Sequence, residues 1–166
     1  GGSVAHYTSL RNFLATKYYP IALKEAAKQS DLKFDRLGPQ QKNILDYSNW
    51  ELTNLSIEDI ITLRNDFLTI IKNEKDAEYY YHFANFIRSE RLETVGMYRF
   101  FNKHSEIEPP YVFTPISSHY SWEKGMKLTG LGKENLIGIP VDQNMRMNAK
   151  ILEERLTDLK NEKKSV

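Results

Sequence analysis

The residues most able to do chemistry lie in the tract Thr114-Pro115-Ile116-Ser117-Ser118-His119-Tyr120-Ser121-Trp122. An apolar, β-prone run precedes it and a helical pattern follows, so His119 falls where a strand hands over to a helix. An imidazole there can stack, hydrogen-bond or exchange a proton near neutral pH. The spacing alone leaves two readings open, because a lone histidine beside a helix start also serves as a satisfied structural residue. A second candidate is Gly1-Gly2-Ser3, which runs directly into a helical pattern. Free backbone N–H groups, a hydroxyl and the positive end of a helix dipole together suit a phosphate. Glycine-rich starts are common, and the same three residues are what a cloning remnant would leave.

Other chemistries lack their residues. Gly130-Leu131-Gly132 continues to Asn135 where a dinucleotide fingerprint needs a third glycine, so it reads as a helix stop. The sequence carries no phosphate-loop lysine motif, no His-Glu-x-x-His pair and no Gly-x-Ser-x-Gly elbow. His82 and His104 have no carboxylate at ligand spacing and read as surface or packing residues. With no cysteine, disulfides and thiolate-held metals are excluded.

Three regions must position these groups. Residues 1–17 give a short helix after the glycines, with Leu10, Phe13 and Leu14 at helical spacing. Residues 18–110 are helical in pattern almost throughout. There Ser56 and Asp59 form an approximate capping box, an apolar face runs from Ile60 to Ile71, and Asp76 to Lys103 is rich in aromatics. Gly38-Pro39 is the clearest break inside this region. Glu108-Pro109-Pro110 ends the helices. Residues 111–166 then alternate: a strand at Tyr111–Thr114, a helix over His119–Leu128 capped by Ser117 or Ser118, a strand at Leu136–Val141, and an amphipathic helix marked by Met147, Ile151, Leu152, Leu156 and Leu159. Lys160 to Lys164 reads as a solvated helix end. Strand, helix, strand, helix predicts a parallel α/β arrangement with ligands at the carboxyl ends of strands.

Composition narrows the classes further. The chain has 166 residues and a formal charge of +1, so nothing electrostatic favours nucleic acid or an anionic membrane. Ten Tyr, eight Phe and two Trp supply enough apolar area to argue against disorder. No apolar run approaches the roughly 20 residues that cross a bilayer. The expectation is a soluble, cytoplasmic, globular domain. Its opening on glycines and its close on a polar helix end are expected of a fragment.

The string SHYSWEKG, followed by LTGLGKENLIGIPVDQNMRM, resembles the group II pyridoxal-phosphate amino-acid decarboxylases. In that family a histidine leads the helix that crosses the cofactor, and a D-x-x-x-R-M segment, here Asp142, Arg146 and Met147, opens the next helix. GGSVA at 1–5, YYPIALKEA at 18–26 and SNWELTNL at 48–55 resemble the corresponding stretches of the bacterial tyrosine-decarboxylating branch. That branch carries a long helical insertion between the glycine motif and the histidine.

The resemblance implies part of a fold-type-I pyridoxal 5'-phosphate domain, an α/β large domain with a parallel-type sheet, flanking helices and a helical insertion over 18–110. Gly2 and Ser3 would belong to the phosphate turn, and His119 would stack on the cofactor ring as the catalytic histidine. The substrate would be an L-amino acid, with tyrosine foremost, and the parent a homodimer. Two departures stand out: His6 replaces the family's usual asparagine, and Gly125 its usual alanine. The family's Schiff-base lysine follows a histidine, and no His-Lys pair occurs here. Lys124 has no imine role in the resemblance, and five helical residues would turn it away from His119. The expectation is therefore a decarboxylase fragment inactive alone. An inert product of a disrupted gene and a helical interaction module with no catalysis are the alternatives.

Overall fold

The computed structural model describes residues 1–166 and is mostly helical, with one small parallel sheet. The chain divides into two units, Leu14–His104, and Gly1–Phe13 with Ser105–Val166. The first helix, α1 (Gly2–Lys17), supplies residues to each.

In the unit Leu14–His104, α2 (Tyr19–Lys28) carries Pro20 in its first turn, where the missing N–H would have no helical partner. Its Ile21, Ala22, Leu23, Ala26 and Ala27 are buried. Residues 29–43 depart from the helical expectation. They form turns that bury Phe34 and Leu37, with Gly38 in the left-handed region at φ +64°. A 3₁₀ turn, Ile44–Asp46, then leads to α3 (Asn49–Thr53). The full capping box belongs to α3: the Ser48 hydroxyl accepts from the Glu51 N–H, and the Glu51 carboxylate accepts from the Ser48 N–H.

Ser56 caps α4 (Ile57–Glu74) as its sequence predicts, accepting from the Asp59 N–H. The buried face of α4 is narrower than expected: Ile60, Leu63, Phe67 and Ile71 are inside, whereas Ile61 is half in water. Phe67 stacks on Phe34 with ring centroids 4.2 Å apart. The aromatic stretch 76–103 is three helices, α5 (Ala77–Glu90), α6 (Leu92–Val95) and α7 (Met97–Lys103). Gly96, at φ +85°, breaks the last two apart. His104 packs against Phe100 in the core, and its Nδ1 meets the Asn49 amide at 3.4 Å. His82 is exposed.

The other unit carries the sheet. Strand β1 (Val112–Pro115) pairs in parallel with β2 (Leu136–Ile139), Val112 opposite Leu136 and Pro115 opposite Ile139. Between them runs α8 (Ser121–Thr129), closed by Gly130 in the left-handed conformation. Gly125 on α8 is buried, and a Cβ built there would lie 3.6 Å from Leu10 of α1, an ordinary contact. The last helix is α9 (Ala149–Asn161).

One expectation needs correcting here. The D-x-x-x-R-M segment does not open α9. Asp142 Oδ1 instead accepts from the N–H groups of Asn144 and Arg146, making a tight turn, and Asn148 caps the helix that follows. On α9 the half-buried residues include Ile151, Leu152 and Leu159, the apolar face the sequence predicts, although no residue of the helix is fully buried. Lys160 to Lys163 are exposed, as a solvated helix end requires, and the chain then turns back: Lys164 bonds Glu108 at 2.5 Å, and the Ser165 carbonyl accepts from the Tyr111 N–H.

Candidate functional site

His119 lies in the turn between β1 and α8, four residues past the carboxyl end of β1, and is exposed. The helix begins later than its sequence predicts. Tyr120 is the cap residue and contributes no side-chain bond, and neither Ser117 nor Ser118 caps it. The imidazole does that work: His119 Nδ1 accepts from the Ser121 N–H at 3.2 Å, while the His119 carbonyl accepts from the Trp122 N–H. A histidine ring thereby satisfies a first-turn donor that water or a hydroxyl would otherwise take.

The Ser121 hydroxyl, almost wholly buried, lies between two imidazoles. It is 2.8 Å from His119 Nδ1 and 2.5 Å from His6 Nδ1. His6 stacks on Trp122, ring centroids 4.7 Å apart and 18° between planes. His6 sits one turn along α1 from Gly2 and Ser3, so Ser121 ties the His119 loop to the first turns of α1. Gly1 and Gly2 are exposed with open space around their Cβ positions, and the first turn of α1 carries no acidic residue. A phosphate approaching those N–H groups would meet neither a steric wall nor a like charge.

Tyr120 packs against His119, centroids 4.2 Å apart, and the Lys124 ammonium lies 4.7 Å over the Tyr120 ring. Lys124 thus meets Tyr120, one helical turn back, and its N–H bonds the Tyr120 carbonyl. Beside this cluster a cavity of about 320 Å³ is lined by Leu10, Phe13, Tyr111, Phe113, Trp122 and Val166, among others.

Sequence reasoning named His119, Gly2 and Ser3 but gave Ser121 no role and treated His6 only as a departure. The signal for Ser121 was its place two residues after His119, at the first helical position. Nothing in the sequence could pair His6 with a residue 115 positions away.

No family model matches the chain. Along nearly all of its length, however, it is similar to amino-acid decarboxylases. It is 26% identical over 162 residues to the L-tyrosine decarboxylase of Enterococcus faecium, an alignment taking in 98% of this chain and 21% of that protein. The L-tyrosine decarboxylases of Enterococcus faecalis and Levilactobacillus brevis are 27% and 25% identical over 161 and 153 residues, 97% and 92% of this chain. The chain spans about a fifth of the length of these curated relatives.

Proposed function

We propose that this chain is the segment of a pyridoxal-phosphate-dependent L-amino-acid decarboxylase that bears the ring-stacking histidine, with tyrosine as the substrate. The similarity to three L-tyrosine decarboxylases over almost the whole chain carries this reading. The geometry of the unit Gly1–Phe13 with Ser105–Val166 supports it. An exposed imidazole stands past the carboxyl end of a parallel strand, bonded through one hydroxyl to the helix whose open N-terminus suits a phosphate.

On this reading residues 111–166 are part of a fold-type-I large domain and residues 18–110 an insertion into it. The N–H groups of Gly2 and Ser3 hold the phosphate, and the His119 ring covers one face of the pyridine. Pyridoxal phosphate, when bound, supplies the electron sink that accepts the bonding pair released as carbon dioxide leaves. His119 contributes orientation, keeping the ligand plane fixed so that the scissile bond stands across it. The Schiff-base lysine belongs to a part of the parent outside these 166 residues, and a homodimer is the form expected of that parent.

Nuclear magnetic resonance tests the assignment directly. Pyridoxal phosphate added to the labelled chain should shift the His119 ring and the amides of Gly2 and Ser3, whereas inorganic phosphate should shift the amides alone. Borohydride should trap no stoichiometric adduct on a single lysine. Shifts scattered away from these residues, or a stoichiometric adduct on Lys124, would refute the proposal.

A further inference from the structure

The three polar groups around Ser121 can share protons in only one order, and the backbone decides which. A neutral imidazole has one donor and one acceptor nitrogen, and a serine hydroxyl has one proton to give. His119 Nδ1 faces the Ser121 N–H at 3.2 Å, so that nitrogen is an acceptor and the proton of His119 rests on Nε2. At 2.8 Å from the same nitrogen, the Ser121 hydroxyl must then donate to it. Its proton is committed there. The contact at 2.5 Å to His6 Nδ1 is too short for two facing lone pairs, so His6 donates from Nδ1–H to the Ser121 oxygen.

We infer that Ser121 is a positioning residue which, with His6 clamped on Trp122, locks His119 as its Nε2–H tautomer and fixes the direction in which its ring faces a ligand. The order runs His6 Nδ1–H to Ser121 Oγ–H to His119 Nδ1. The exposed edge of His119 therefore meets a ligand as a hydrogen-bond donor, and its basic nitrogen is turned inward onto α8. Burial of the hydroxyl keeps water from competing for either contact. The inference rests on the function proposed above for what His119 faces, but the proton order stands on this chain's own groups.

The test uses the full chain labelled with ¹⁵N, at an alkaline pH where imidazoles are neutral, and reads ring tautomers from two-bond ¹H–¹⁵N spectra. His6 should be found as Nδ1–H and His119 as Nε2–H. Ser121→Ala should abolish the Nδ1–H preference of His6, Ser121→Thr should restore it, and the resonances of His82 and His104 should stay in place as a control on folding. His6 found as Nε2–H in the unsubstituted chain, or a Ser121→Ala spectrum with both tautomers unchanged, overturns the inference. Pyridoxal phosphate separates the two proposals. If it shifts His119, Ser121→Ala should weaken its binding about fivefold, the loss of one hydrogen bond, and undiminished affinity overturns the positioning role. If it shifts nothing, the function proposed above fails while the tautomer spectra still decide the proton order.

Discussion

Replacing Gly125 by alanine should stabilise the unit that holds His119. Gly125 lies in the interior of α8, buried, with ordinary helical backbone and no positive φ. Glycine there costs about 1 kcal/mol relative to alanine, because the unfolded chain is freer with glycine and the helix gains no side chain. The new methyl would touch Leu10 Cδ2 at 3.6 Å, a distance that asks for no movement of α1. A buried methyl adds up to ~0.8 kcal/mol, and part of this is already counted in the helix preference. A net gain of about 1 kcal/mol follows. Each unit carries one tryptophan, Trp50 and Trp122, so fluorescence of a Trp50→Phe background reports α8 alone. If that unit melts independently, its midpoint should rise by roughly 4–8 °C; if the chain melts as one, by roughly 2–4 °C. A midpoint that falls would mean that α1 and α8 approach more closely than the Leu10 contact indicates, and the packing argument for the His6–Ser121 bond would fail with it.

Two further outcomes concern the unit Leu14–His104. Gly38→Ala should destabilise it by roughly 2 kcal/mol in urea titration. Its φ of +64° disfavours a Cβ, and that atom would sit 3.2 Å from the Tyr47 hydroxyl, which is held by the Leu37 carbonyl; an unchanged midpoint would contradict the left-handed turn. The Glu51 carboxyl is held down from 4.5 to about 2 by its bond to Lys42 and by the Ser48 N–H. A depressed carboxylate stabilises above its unfolded pKa, so this contribution is whole above about pH 4.5 and fades as pH falls toward 2. With its side chain partly in water, the screened value is about 1–2 kcal/mol. Unfolding curves of Glu51→Gln and the parent chain should therefore differ at neutral pH and converge near pH 2, and a gap that does not depend on pH would show that the carboxylate charge is not what stabilises the cap.

What local patterns determine was legible before any coordinates. Prolines at 109 and 110 ended the helices, Ser56 capped α4, and the apolar runs near 112 and 136 became paired parallel strands, because each follows from the backbone preference of a few neighbouring residues. Where a signal depended on which competing group takes a hydrogen bond, it misled. Ser117 and Ser118 yielded the α8 cap to the His119 ring, and the Ser48–Glu51 pair formed the capping box that the sequence reading saw only in approximate form at Ser56. The D-x-x-x-R-M string curled into its own turn because a carboxylate beside free N–H groups satisfies them locally.

By itself the sequence determined the kinds of groups available, an imidazole after a strand and a glycine-led helix start, and an order of segments shared with decarboxylases. Only the tertiary structure decided that His6 and His119, 113 positions apart in the chain, meet through one serine, and hence which nitrogen carries each proton. Such a contact is set by how α1 meets α8, with Leu10 beside Gly125 and His6 on Trp122, residues more than a hundred positions apart, and no spacing along the chain encodes it.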